Sequence, residues 1–560
     1  MLGRRKRYRD FELAPDEIFL DASNQPNFNT DQLEGRLEQP LSRRSFVGIG
    51  IVILLIFIGL TARAATLGII KGEKYAAQSE RNRLRSQVLI AQRGAILDRN
   101  GVALVSNEVK DDGTVKRSYL TPGFAHLLGY VSYPKKDASG NYYDTDITGL
   151  AGAELAFNST LAGKNGTILT EEDARGRVQS QGTTVPAQNG KSVTLAIDAR
   201  AQKAFYDAIS SLADKIPFEG GAGVLMDVNT GEVRALVSYP EYDPNVLSAG
   251  TPADVIAAYS EDTRQPYLDR AISGLYTPGS IVKPIEASGV LADNIISPSK
   301  IIYSSGQISV PNPYDPSKPT IFRDWKVLGA LDIRHAIAWS SDVYFYTVGG
   351  GFGDQKGLGI NRLKYWFEQF GYTTKTGIEL PREASGNVPS PEWKQKTFGE
   401  PWRIGNTYHT AIGQYGTQIT LLEAARSIAA VANGGTLVTP TILKSDKAEG
   451  TPPSSPKVPA PESALQIVRE GMRLGATEGT SHGLNDLSFV QLAGKTGTAQ
   501  LGLHNEYYNS WAVGFWPYDK PKYVYVLLMD HGPAGNSLGG IYAMHQVLTQ
   551  LHETAPEYFP

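Results

Sequence analysis

The sequence predicts an α+β protein in which helices pack on an antiparallel sheet, preceded by a mostly β module and one membrane helix. Three observations carry this reading. Ala222 to Val228 and Glu232 to Ser238 are apolar, strand-like runs on either side of Asn229-Thr230-Gly231, the pattern of a hairpin. Trp511 to Phe515 and Tyr523 to Met529 are again strand-like, and Tyr542 to Leu551 follows them as a closing amphipathic helix. Ser45 to Ala62 carries no charge and is rich in Ile, Val, Leu and Phe.

Taken in order, 560 residues exceed what one hydrophobic core organises, so two or more domains are expected. Residues 1–44 form a charged tail. Ser45 to Ala62 would be about 27 Å long as a helix, and snorkelling of Arg63 with Ala64 to Ile70 behind it completes a crossing over residues 45–70. A cleaved signal peptide fits less well, because the tail is too long for an n-region, although Ala62-Arg63-Ala64 resembles a cleavage site. The flanking charge is ambiguous. Arg43 and Arg44 precede the segment while Arg63, Lys71, Lys74, Arg81, Arg83 and Arg85 follow it, yet the Arg4-Arg5-Lys6-Arg7 cluster favours a cytoplasmic N-terminus.

Residues 71–190 read as a non-catalytic module. It has a polar stem from Gln78 to Arg93 and a hairpin of Ala95-Ile96-Leu97 and Val102-Ala103-Leu104 about Arg99-Asn100-Gly101. Gly-rich, irregular sequence then runs from Ser106 to about Gly190. The C-terminal domain, residues 191–560, opens with a strand from Val193 to Ile197 and a helix capped by Asp198 that carries Phe205, Ile209 and Leu212 on one face. Pro/Ser-rich sequence between Lys447 and Glu462 reads as an exposed insertion. The net charge of −3 gives no global case for nucleic acid. The absence of cysteine excludes disulfides and thiolate metal sites, no His-Glu-x-x-His pattern occurs, and neither metal nor cofactor is expected.

The chemistry is carried by Ser280 and Lys283. Residues three apart on a helix share a face, so the lysine amine can draw the proton from the serine hydroxyl, a weak nucleophile without such a base. Ser-x-x-Lys occurs at Ser132, Ser280, Ser297 and Ser454, but only Ser280 has no proline between the two residues. By itself the pair could be an ordinary surface Ser and Lys. Two further motifs follow it: Ser340-Ser341-Asp342, then Lys495-Thr496-Gly497-Thr498. Such a triple is shared by penicillin-binding proteins and serine β-lactamases. Lys375-Thr376-Gly377 is a second Lys-Thr-Gly and reads as a turn into a strand at Ile378-Glu379-Leu380. In the later copy Gly497 follows an apolar run and allows close approach of a backbone or ligand.

Together these residues resemble the class B penicillin-binding proteins, most of all the penicillin-binding protein 2 group of cell elongation. The likeness includes Arg93-Gly94 to Gly101, Gly149-Leu150-Ala151-Gly152-Ala153-Glu154, Asp173 with Gly176, Phe322-Arg323-Asp324-Trp325-Lys326, Tyr344-Phe345-Tyr346, and Ser385 through Trp393-Lys394-Gln395-Lys396 to Trp402. Asn406 in place of an aspartate and the order Gln414-Tyr415-Gly416 depart from that group, and sequence after Gln500 is shorter than in many relatives.

The resemblance implies a penicillin-binding/serine β-lactamase-like transpeptidase domain with helices on both sides of its sheet. It sits on a dimerisation-like pedestal with a single-pass anchor, N-terminus cytoplasmic and catalytic domain outside. It implies a D,D-transpeptidase that cross-links peptidoglycan stem peptides ending in D-Ala-D-Ala, is inhibited by β-lactams, and partners a RodA-like, SEDS-type glycosyltransferase through the pedestal and membrane helix. Phe124 to Tyr130 is among the apolar runs that resemble the family's partner-facing module. Ser280 would be acylated, Lys283 would be its base, and Ser340 oriented by Asp342 would relay the proton. Lys495 and Thr496, in the run with Gly497 and Thr498, would bind the terminal carboxylate, and Ser280 and Thr498 N–H groups would form the oxyanion hole. A cationic Lys495 would also help to keep Lys283 neutral. The alternatives are a division-specific class B enzyme, which usually has asparagine at the position of Asp342, a β-lactamase or β-lactam sensor, and a scaffold that mainly activates its polymerase.

Overall fold

The computed structural model describes residues 42–109, 115–138, 142–172, 178–312, 315, 317–445 and 455–560. Most of the expected tail, Asp173 with Gly176, and Gly450 to Ser454 of the expected insertion lie outside the described residues. The chain divides into two compact units, residues 1–85 with 170–180, and residues 86–169 with 181–560.

In the first unit α1, Arg43–Ala65, begins at Ser42, whose side chain accepts from the Ser45 N–H. It runs on through one π turn, Thr66–Ile70. The continuous 28-residue helix has a mean hydropathy of 2.6 and is long and apolar enough to cross a membrane. Its Phe46, Leu54, Phe57 and Leu60 are all exposed, an apolar surface too large for a water-facing helix. The polar stem expected from Gln78 is a helix, Gly72–Arg83, followed by a strand, Leu84–Leu89.

The second unit begins with a four-stranded sheet of β1 (Ile96–Leu97), β2 (Ala103–Val109), β3 (Val115–Tyr119) and β4 (Val193–Thr194), in the order β4-β1-β2-β3. Asp98 closes the β1–β2 turn by accepting from the N–H groups of Asn100 and Val102. One expectation changes here. The strand expected over Val193 to Ile197 is limited to Val193–Thr194 and pairs in parallel with β1, so it completes this sheet instead of opening the next one. The apolar Phe124 to Leu128 run is exposed by no more than 8% and forms part of this module's core.

This region is tied together by Glu154, which bonds Arg93 Nε at 2.5 Å and Arg117 Nη2 at 2.6 Å with all three side chains fully buried. Burial lowers the affinity of Arg93 for its proton, and the adjacent carboxylate makes good only part of that loss. Removing one partner from such a buried pair costs about 3–5 kcal/mol, because a charge is left stranded.

The larger part of the unit is built on a five-stranded antiparallel sheet. Its strands are β5 (Gly220–Asp227), β6 (Val233–Tyr239), β9 (Ala493–Leu501), β10 (Tyr507–Trp516) and β11 (Tyr523–Pro533), in the order β6-β5-β11-β10-β9. The hairpin pair β7 (Gln307–Val310) and β8 (Thr320–Arg323) lies apart from it. On one face α2 (Ala199–Lys215) and α7 (Gly540–Thr554) pack against Leu225, Val237, Leu527 and Met529. On the other, α3 (Lys283–Ala292), α5 (Leu421–Ala432) and α6 (Glu462–Thr477) share a core with Val224, Met226, Val526 and Leu528. Coverage of both faces is why all eight residues of β5 are buried and why the strands read as apolar runs and not as alternation. Asp198 caps α2 by accepting from the Arg200 N–H, and Phe205, Ile209 and Leu212 face the core as the periodicity required.

Candidate active site

Ser280 lies in a 3-10 turn, Gly279–Val282, and Lys283 opens α3 behind it. Residues i and i+3 eclipse in a 3-10 turn, so both side chains project from one side. Buried Ile281 and Val282 hold the turn to the core. Gly279 has φ 57, a left-handed conformation that disfavours other residues, and a β-carbon there would stand 3.1 Å from the Thr498 carbonyl oxygen. At Gly497 a β-carbon would stand 2.7 Å from the Pro278 carbonyl oxygen and 2.8 Å from Ile281. The Ser280 turn and β9 thus touch backbone to backbone.

Lys283 makes no hydrogen bond to Ser280 in this arrangement. Its buried Nζ donates to Asp342 Oδ1 at 2.6 Å, to the Ser340 carbonyl oxygen at 2.8 Å and to Ser340 Oγ at 3.3 Å. The carboxylate is the stronger acceptor and outcompetes a neutral hydroxyl for the Lys283 N–H groups. Ser340, with φ 56, is a strained left-handed residue that turns its carbonyl and its hydroxyl together toward the lysine.

Lys495 lies behind Ser340 and does not reach the cleft wall. It is fully buried and donates to Ser340 Oγ at 2.8 Å and to the Thr496 carbonyl oxygen at 2.7 Å. Burial, then the positive charge of Lys283, holds its amine well below the usual lysine range, with Asp342 pulling the other way. The expected cation at Lys495 is therefore the group pressed toward neutrality. Two amines bracket one hydroxyl, and the cluster resists carrying both protons.

A cleft of about 1480 Å³ opens over Ser280, Ser340 and Asp342. One wall is β9, the edge strand of the sheet, presenting Thr496, Gly497 and Thr498. An edge strand offers unpaired backbone groups to an extended peptide. Thr496 Oγ1 shares a hydrogen bond of 2.7 Å with Thr480 Oγ1. The facing wall is the segment from Thr320 to Trp325.

Asp324 organises this facing wall, a role the sequence reading did not give it. Its Oδ2 accepts from Ser304 Oγ, Ser341 Oγ and the Val343 N–H, and Oδ1 accepts from the Trp325 N–H. Ser341 in turn caps α4, Asp342–Gly350, so Asp324 fixes the helix end that carries Asp342. The signal was the Phe322 to Lys326 match, which carries no spacing rule of its own. His409 also lines the cleft and was not foreseen; burial lowers its proton affinity while Asp342 raises it. The buried Glu286, one turn after Lys283, has neither oxygen hydrogen-bonded, and burial raises its pKa well above the carboxylate range.

The rival motifs lie elsewhere. Lys375 is exposed, and the residues after Gly377 form no strand, contrary to expectation. Glu383 instead binds Thr376 and the Gly377 N–H. Ser132 ends a two-residue strand, Ser297 bonds Ser299, and Ser454 lies outside the described residues. Asn406 caps its own helix through the Arg403 N–H, and Tyr415, with φ 55, meets the rings of Trp393 and Trp402 edge-on.

Fold and site together define a serine acyl-transfer enzyme with two lysines. Residues 221–548 match the family model described as the penicillin binding protein transpeptidase domain, and residues 110–195 match the penicillin-binding protein dimerisation domain. The chain belongs to the class B penicillin-binding proteins, in the penicillin-binding protein 2 group. It is 32% identical over 495 residues to the peptidoglycan D,D-transpeptidase MrdA of Haemophilus influenzae, covering 82% of this chain and 72% of that one. It is similar to penicillin-binding protein 2 of Helicobacter pylori in its complex with MreC, at 27% identity and a TM-score of 0.69 over 84% of this chain and 99% of that one. It is also similar to a chain of a peptidoglycan synthase complex that coordinates polymerisation and crosslinking, at 25% identity and a TM-score of 0.71 over 90% and 98%.

Proposed function

We propose that this chain is the peptidoglycan D,D-transpeptidase of cell-wall elongation. The supporting observation is that Ser280 and Ser340 line one cleft whose wall is a free strand edge, with the buried amines of Lys283 and Lys495 both bonded to Ser340 Oγ behind it. A stem peptide lies along β9 with its terminal carboxylate at Thr496 and Thr498. Ser280 Oγ attacks the penultimate D-Ala carbonyl, and its proton passes to Lys283 in the form of the cluster whose single shared proton rests on Lys495, the two amines being joined through Ser340 Oγ. N–H groups of Ser280 and Thr498 stabilise the oxyanion; losing one such donor typically costs about 2.7–4 kcal/mol.

The C–N bond to the terminal D-Ala then breaks, and Ser340 Oγ, reached by both lysines, passes the proton to the leaving amine. An amine from a neighbouring strand attacks the resulting ester and releases Ser280. Lys495 acts through Ser340 and contributes its bond to the relay, while Asp342 holds Lys283 in place. Penicillins acylate the same hydroxyl. Purified full-length protein given pentapeptide donors and an amine acceptor should release one D-alanine for each cross-link formed, measured by mass spectrometry. Release without any cross-linked product would make it a carboxypeptidase instead.

The substrate lies outside the cytoplasmic membrane, and that location calls for an N-terminus inside and residues beyond about Arg63 outside. A C-terminal reporter active only in the extracytoplasmic space is the expected result; activity only inside would overturn the envelope assignment. The domains are then the tail 1–44, anchor 45–70, pedestal 71–190 and transpeptidase 191–560. The pedestal and anchor engage a SEDS-type polymerase, a reading supported by likeness to the chain of the synthase complex.

A further inference from the structure

The cleft wall at Arg323 carries a positive charge that no acid around it neutralises. Its one acid, Asp324, is spent on Ser304, Ser341 and two backbone N–H groups. Asp342, the other carboxylate lining the cleft, is paired with Lys283. Arg323 ends β8, is exposed and lines the cleft, and its guanidinium has no acidic partner among the described residues. Its backbone is held in place, since the carbonyl accepts from Tyr346 Oη at 3.3 Å and β8 is registered on β7 with Arg323 opposite Gln307. Just outside, Lys326 Nζ sits 4.4 Å from the Trp325 ring centroid and 4.3 Å from that of Trp339, again without an acid.

We propose that Arg323 reads a carboxylate on the side chain of the stem residue immediately before the D-Ala-D-Ala pair, so that the preferred donor carries a diamino-diacid there and not a simple diamine. This inference rests on the transpeptidase reading. The two terminal residues carry only methyl side chains, so the residue before them is the first whose side chain can cross from β9 to the facing wall. A guanidinium presents a planar fork of donors that matches a carboxylate, and its charge would repel an unaccompanied ammonium.

The test uses detergent-purified full-length protein and two pentapeptides differing only at that residue, one with a free side-chain carboxylate and one with it amidated. D-alanine release is timed for each. The free acid is expected to react about tenfold faster in kcat/KM, the worth of one charge-assisted bond. Arg323→Gln should bring the ratio near one, and Arg323→Glu should invert it. Equal rates with the unaltered protein, or a preference that survives Arg323→Gln, would overturn the assignment. Each result is a ratio within one preparation, so partial loss of active protein does not alter it, and the two donors on the unaltered protein decide the matter even if a variant does not fold. Release from neither donor would instead count against the transpeptidase reading itself.

Discussion

Ser280→Ala is expected to abolish the covalent penicillin adduct completely. Acylation needs the hydroxyl itself, and a neighbouring group cannot replace it from this geometry. The side chain is small and half-buried at a surface turn whose hold on the core comes from Ile281 and Val282, so its loss should leave the fold intact. Fluorescent penicillin followed by gel analysis measures the loss, and mass spectrometry of the unaltered protein should map the adduct to Ser280. An adduct on Ser132, Ser297 or Ser454, or labelling that persists in Ser280→Ala, would sink the assignment.

Lys495→Ala should slow acylation by roughly two to three orders of magnitude, while Lys375→Ala stays within about twofold of the unaltered protein. The reasons differ from simple carboxylate binding. Lys495 holds Ser340 Oγ at 2.8 Å from behind, and its loss frees the hydroxyl that stands between both amines and opens a buried void. Lys375 is exposed, and its neighbours Thr376 and Gly377 are engaged by Glu383. Stopped-flow acylation rates for both variants, with circular dichroism to confirm folding, decide the matter. Equal slowing by the two substitutions would mean that the second Lys-Thr-Gly had been dismissed wrongly.

The two Lys-Thr-Gly copies also show what sequence can and cannot reveal. Short-range features were readable: the proline-free Ser-x-x-Lys, the Asn229-Thr230-Gly231 turn and the Asp198 cap depend on residues within a few positions of one another. The long apolar stretches of β5 and β11 announced strands because both faces are covered. Pairing at a distance was not readable. Nothing in the local pattern says that Lys283 bonds Asp342, that Lys495 backs onto Ser340, or that Asp324 braces the start of α4, because each is decided by where separate elements cross. The run from Val193 failed for the same reason. Its β-forming composition is real, but the partner that accepts it is Ile96–Leu97, nearly a hundred residues earlier.

The contact between the Ser280 turn and β9 constrains how this enzyme can change. At Gly279 and Gly497 the space for a side chain is less than a methyl group, so neither position can carry one without moving the opposing backbone. The reactive side of the cleft therefore has one permitted width, and a variant cannot evade a β-lactam by bulking it there without also displacing the natural donor. Room for adaptation lies across the gap, in the exposed side chains of Arg323, Trp325, Lys326 and Val327, and at the exposed end of β9 near Gln500. Drug escape and altered substrate choice in this protein should draw on those same few positions, so that selecting for one shifts the other.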